Sequence, residues 1–179
     1  MRYSGGLQFL VASGVVGMVL CGQAPTRAEQ SWSPRPLITA HLVVLFSAET
    51  TKHYTAFCSA LYPELASGIS EGYAVYLTQN TAVTTRARDQ VVRIPSAVLH
   101  GHERVEVEER IANNLRDLPD DAERSMRKYL AGLPEAQRRA QCTTLRSELL
   151  RGVHDIAQRD PAAVNMLHAF AAWLQQQTN

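Results

Sequence analysis

Apolar residues recur every three or four positions along most of this 179-residue chain, which restricts it to packed helices. Phe46, Thr50, Tyr54, Cys58 and Leu61 fall on one side of a first helix. Leu65, Ile69, Tyr73, Tyr76, Asn80, Val83 and Ala87 continue the period beyond Pro63, despite Gly68 and Gly72. Val107, Ile111, Leu115 and Leu118 form a third stripe. Asp120 and Glu123 have the spacing of a capping box, which predicts a separate short helix with Met126, Tyr129 and Leu130 on its apolar side. Cys142, Leu145, Leu149, Val153 and Ile156 make the next stripe. Asp160-Pro161 then predicts a last helix, with Leu167, Phe170 and Leu174 facing inward. Gln90 to Gly101 has no clear period and reads as a connection. The expectation is all-α: a single bundle of about five to six helices over residues 37–174, after a linker at 29–36 and before a frayed tail at 175–179.

The first 28 residues follow a different rule. Arg2 precedes an uncharged apolar run from Phe9 to Leu20, and Thr26-Arg27-Ala28 offers the small residues of a signal-peptidase site. At 12 residues the run is shorter than the ~20 needed to span a bilayer, so a cleaved signal peptide ending at Ala28 is expected. Leu20 before Cys21 departs from a lipobox and argues against lipid anchoring there. Export makes a periplasmic protein with no stable transmembrane segment after cleavage. It also sorts the three cysteines. Cys21 leaves with the signal, and Cys58 and Cys142 remain as an even pair expected to form one disulfide. Removing Arg2 and Arg27 leaves 16 cations against 17 acids, net −1, which excludes a nucleic-acid binder recognisable by charge.

Chemistry is sparse. Gly68-Ile69-Ser70-Glu71-Gly72 matches the G-x-S-x-G pattern, but that nucleophile works from a strand-to-helix elbow, and here the pattern lies inside a helical stripe. His100-Gly101-His102-Glu103 lacks the second cluster that would complete a metal site. No catalytic residues, metal site or cofactor are expected. Asn80 stands out because it interrupts an apolar stripe: a core amide needs partners, either a neighbouring backbone or a ligand in a cleft shared with Tyr73 and Tyr76.

Phe57-Cys58, Tyr62-Pro63-Glu64-Leu65, Tyr76 with Asn80, Cys142 followed by Leu145 and Leu149, and Asp160-Pro161 together resemble small exported helical proteins of proteobacteria, with Tyr76 where that pattern has Trp. The resemblance covers roughly Leu37 to Leu174 and implies a fold and a disulfide rather than an activity. The expected function is non-enzymatic: binding another macromolecule, an unknown protein partner in the cell envelope, as an inhibitor, immunity protein or accessory factor. The competing expectation is a periplasmic hydrolase whose site is assembled in three dimensions, from Ser70 or from His100, His102 and Glu103.

Overall fold

Pro34 and Pro36 start a helix rather than a linker, because a first-turn proline gives up only a donor that has no intrahelical partner anyway. The computed structural model describes residues 32–177. Within them lie seven helices and no strand: α1 (Pro34–Leu61), α2 (Ala66–Val91), α3 (Ile94–Val98), α4 (Gly101–Ala131), α5 (Glu135–Leu150), α6 (Ile156–Arg159) and α7 (Pro161–Gln177). A 3-10 turn, Pro63–Leu65, joins α1 to α2, since a residue before proline is disfavoured in the helical region. The all-α bundle and its single disulfide are as expected, with α3 and α6 the short additions to a count of five or six. The signal segment and Cys21 lie outside the described residues.

Helix α1 runs along α2, α4 and α7 and also touches α3 and α6, so it is covered on several sides. The stripe anticipated along it is offset: Phe46 and Leu61 are exposed, while Val44, Leu45, Thr51, Tyr54, Thr55 and Cys58 are buried. Each step of four residues turns about 40° past a full helical turn, so a strict four-residue series winds away from the face it starts on. The cores follow the same axis. One gathers Leu37, Val44, Val91, Ile94, Ile111, Leu167 and Phe170; the other gathers Tyr54, Cys58, Ile69, Tyr76, Leu130, Cys142 and Leu149.

Three boundaries differ from the sequence expectation. Helix α4 passes through Pro119 without a break, so Asp120 and Glu123 sit inside it rather than capping a new helix. A proline here forfeits one backbone hydrogen bond, yet Val107, Ile111, Leu118, Ala122, Met126 and Leu130 remain one buried stripe on both sides of it. Helix α5 stops at Leu150: Gly152 adopts φ 73°, its N–H bonds Leu149 O and Val153 N–H bonds Glu148 O, which is a Schellman end. Val153 is thereby thrown off the stripe and exposed. Gln90 to Gly101 is also partly helical, since α2 continues to Val91 and α3 follows, burying Val91, Ile94, Pro95 and Leu99. Gln175 to Gln177 complete the last turn of α7 instead of fraying.

Polar ties cross between the helices. His41 is fully buried on α1, with Nδ1 2.6 Å from Leu37 O and Nε2 3.0 Å from the Gln90 side chain on α2. A carbonyl only accepts, so Nδ1 carries a proton. Burial holds the imidazole pKa below its ordinary 6.5, against the two hydrogen bonds that raise it. At the other end Tyr62 donates to Glu135 Oε1 at 2.6 Å, and the Arg139 guanidinium lies over the Tyr62 ring.

The glycines of the G-x-S-x-G stretch serve packing. A Cβ on Gly72 would stand 3.1 Å from both Arg146 O and Leu149 Cβ, so α5 approaches α2 as closely as a glycine allows. A Cβ on Gly68 would meet only the Arg146 side chain, at 2.8 Å from Cδ, and that chain can swing aside. Gly68→Ala should therefore be neutral or gain up to about 1 kcal/mol of helix propensity. Gly72→Ala should lose about 1 kcal/mol net, as the cost of overpacking exceeds the same gain. Urea unfolding of the two variants separates them.

Cys58 and Cys142, both fully buried with Cα atoms 5.3 Å apart, bridge α1 to α5 across a sequence separation of 84. Cross-linking so distant a pair restricts the unfolded chain, which stabilises by about 2–5 kcal/mol. Cys58→Ser and Cys142→Ser should each lower the melting temperature, and the double variant should fall little further, since both changes break one bond. Calorimetry of the three variants checks this.

Candidate functional site

Helices α1 and α2 are joined by a short turn, so they run antiparallel, and their contact opens into a groove of about 230 Å³. Leu45, Ala48, Glu49 and Lys52 come from α1; Tyr73, Tyr76, Leu77, Asn80, Thr81, Thr84 and Arg88 come from α2. The three residues singled out from the sequence, Tyr73, Tyr76 and Asn80, are therefore brought together along one wall. Tyr73 and Tyr76 are three apart on the helix, and their rings stack with centroids 5.8 Å apart and planes 13° from parallel.

Asn80 is 1% exposed, and both polar atoms of its amide bond backbone. Its Nδ2 donates to Tyr76 O at 2.9 Å, and its Oδ1 accepts from Ile156 N–H at 2.9 Å. The second bond matters more. Ile156 opens α6, and the first N–H groups of a helix have no partner within it. Asn80 supplies one acceptor from 76 residues away, and Asp155 supplies another to Ala157 N–H. One amide thus fixes where the α5–α6 turn meets α2.

The polar atoms of the groove are mostly committed. Thr81 Oγ1 donates to Leu77 O, and Thr84 Oγ1 to Asn80 O and Thr81 O. Lys52 Nζ pairs with Glu49 at 2.9 Å. Burial pushes the Tyr76 hydroxyl up to about 12; it faces Thr51, which pulls the other way, but completes no hydrogen bond of good geometry. Burial, and then the Glu49 charge, raise Tyr73 as well. Both phenols stay neutral at any physiological pH. Left to meet a ligand are apolar surface, with Leu77 44% exposed, and the cation of Arg88, which forms no ion pair among the described residues.

The other sequence candidates do not assemble. Ser70 is exposed in the second turn of α2, with no strand leading into it. His100, Gly101, His102 and Glu103 are exposed at the start of α4, where His102 pairs with Glu106 at 3.1 Å. Among the described residues no three His, Cys, Asp or Glu side chains group as metal ligands. Tyr129, expected in the core, is 47% exposed and donates to Gln141 Oε1. Sequence reasoning missed the half-buried contact of His154 with Glu148 at 3.2 Å; the only signal was the pair His154-Asp155, whose partners lie elsewhere.

Asn80→Ala would leave the buried Ile156 N–H without an acceptor, costing about 1–3 kcal/mol. Thermal unfolding should show that loss, and amide exchange at Ile156 and Ala157 should accelerate more than at Leu37 or Val44. Compared with known proteins, the chain matches no family model, no curated protein and no solved structure.

Proposed function

We propose that this chain is an exported, non-enzymatic periplasmic protein that acts by binding another protein of the cell envelope, as an inhibitor, immunity protein or accessory factor. One observation carries the reading: the α1–α2 groove has its Thr81 and Thr84 hydroxyls and its Lys52–Glu49 pair satisfied internally, and presents apolar and aromatic surface beside the unpaired cation of Arg88. Such a surface suits an apolar side chain inserted from a partner, flanked by an acidic group. Groups that would move protons or attack a substrate are not what lines it: its ionisable members are a paired carboxylate, two cations and two phenols held neutral. The apolar run before Thr26-Arg27-Ala28, the disulfide and the resemblance to small exported proteins of proteobacteria support export.

Affinity capture from periplasm with the wild-type protein and with Leu77→Glu tests both halves. Mass spectrometry of the bait should find a mature start at Glu29. An envelope protein should be retained by the wild type and lost with Leu77→Glu, whose melting temperature should stay within about 2 °C because Leu77 is exposed. The same proteins on both baits, or a cytosolic full-length bait, would overturn the proposal.

A further inference from the structure

A second cavity of about 280 Å³ lies where α1, α4, α5 and α6 meet, and its hydrogen-bonding inventory is lopsided. Its amide carbonyl and its carboxylate already hold donors from the protein. Gln141 Oε1 accepts from Tyr54 at 3.2 Å and from Tyr129 at 2.9 Å, which uses both lone pairs of its carbonyl. Glu148 holds the Thr144 hydroxyl on one oxygen at 3.1 Å and His154 Nε2 on the other at 3.2 Å. Three donor groups are unclaimed. Thr50 Oγ1 is buried without a hydrogen-bond partner, the Gln141 amide nitrogen has its protons unclaimed, and Arg159 forms no ion pair among the described residues. A buried, unpartnered hydroxyl costs free energy that a bound acceptor would recover.

We propose that this cavity binds a small organic acid, its carboxylate facing the donors of Arg159, Gln141 and Thr50 and its short carbon body lying against Met126 and Val153. The volume sits near the lower end of ligand cavities, about 300–1,000 Å³, which limits the body to a few carbons or one ring. A carboxylate is favoured over a neutral carbonyl because charge-assisted bonds are about twice as strong as neutral ones. Glu148 brings one negative charge to the site, and Arg159 is the cation that offsets it. Removing Arg159 would therefore turn the site against an anion rather than merely weaken it. The site is separate from the α1–α2 groove, so its fate does not decide the partner-binding proposal.

The test is titration of the oxidised protein, followed by NMR and calorimetry, with butyrate and benzoate against butyramide and benzamide. A tripeptide with a free C-terminus and its amidated form make a further arm. The acids should bind at least about tenfold more tightly than the amides, a difference near 1.4 kcal/mol. Arg159→Gln should abolish that preference, and Thr50→Val should reduce binding of acid. Melting temperatures of the variants without ligand report whether either change disturbs the fold, and Arg159 is exposed enough for the first to leave it intact. Acids and amides binding alike, neither binding, or Arg159→Gln keeping the preference would each overturn the proposal. A free-ended tripeptide binding where the small acids do not would also overturn it, by moving the carboxylate onto a polypeptide.

Discussion

The burial of α1 is the constraint on which the rest of the bundle depends. A helix flanked by α2, α4 and α7 has little surface left for water, so most of its polar residues find partners inside, Thr50 being an exception. His41 reaches Leu37 O and Gln90, Thr51 and Thr55 turn their hydroxyls to carbonyls of their own helix, and Ser47 donates to Asp160 Oδ2 at 3.0 Å. That last bond lies at the α6–α7 junction, just ahead of the proline that opens α7. The polar residues of α1 thereby tie it to two other parts of the chain, the end of α2 and the α6–α7 junction.

Asn80 does the same for α2. Its position in an apolar stripe signals a core amide, and its two bonds place it between its own helix and the start of α6. Tyr76, one turn earlier, lines the groove while its hydroxyl faces Thr51, which lines the second cavity. A thin layer of side chains separates the two hollows. The groove shares Leu45 with the Leu37–Phe170 core, whereas the second cavity borders the other core through Tyr54 and Met126.

Much of the fold was legible because helical periodicity is a local signal. The stripes of α4 and of α5 up to Leu149, the Asp160-Pro161 restart and the pairing of Cys58 with Cys142 could all be read from spacing or cysteine arithmetic. What spacing could not give was cover from several directions. Phe46 belongs to a plausible stripe on α1 yet faces outward, because the choice of buried side is made by α2, α4 and α7. The Asp120 and Glu123 spacing read as the start of a new helix, but a continuous buried stripe through Pro119 outweighs one missing bond. Tyr73, Tyr76 and Asn80 were legible as one wall of a groove since they share a helix face, whereas Thr50, Gln141 and Arg159 come from three helices and carry no common pattern.

The disulfide belongs to only one of the two cores, the one holding Tyr54, Ile69, Leu130 and Leu149. The Leu37–Phe170 core is closed by apolar contact and by edge-on and stacked rings, Trp32 against Phe170 and Phe170 against Trp173. The molecule therefore has two ends of different kinds: one covalently stapled, the other secured by side chains alone. Loosening of the bundle has a built-in direction, with α7 able to lift away while α1 and α5 remain tied. Oxidation protects one end of this protein, and temperature finds the other.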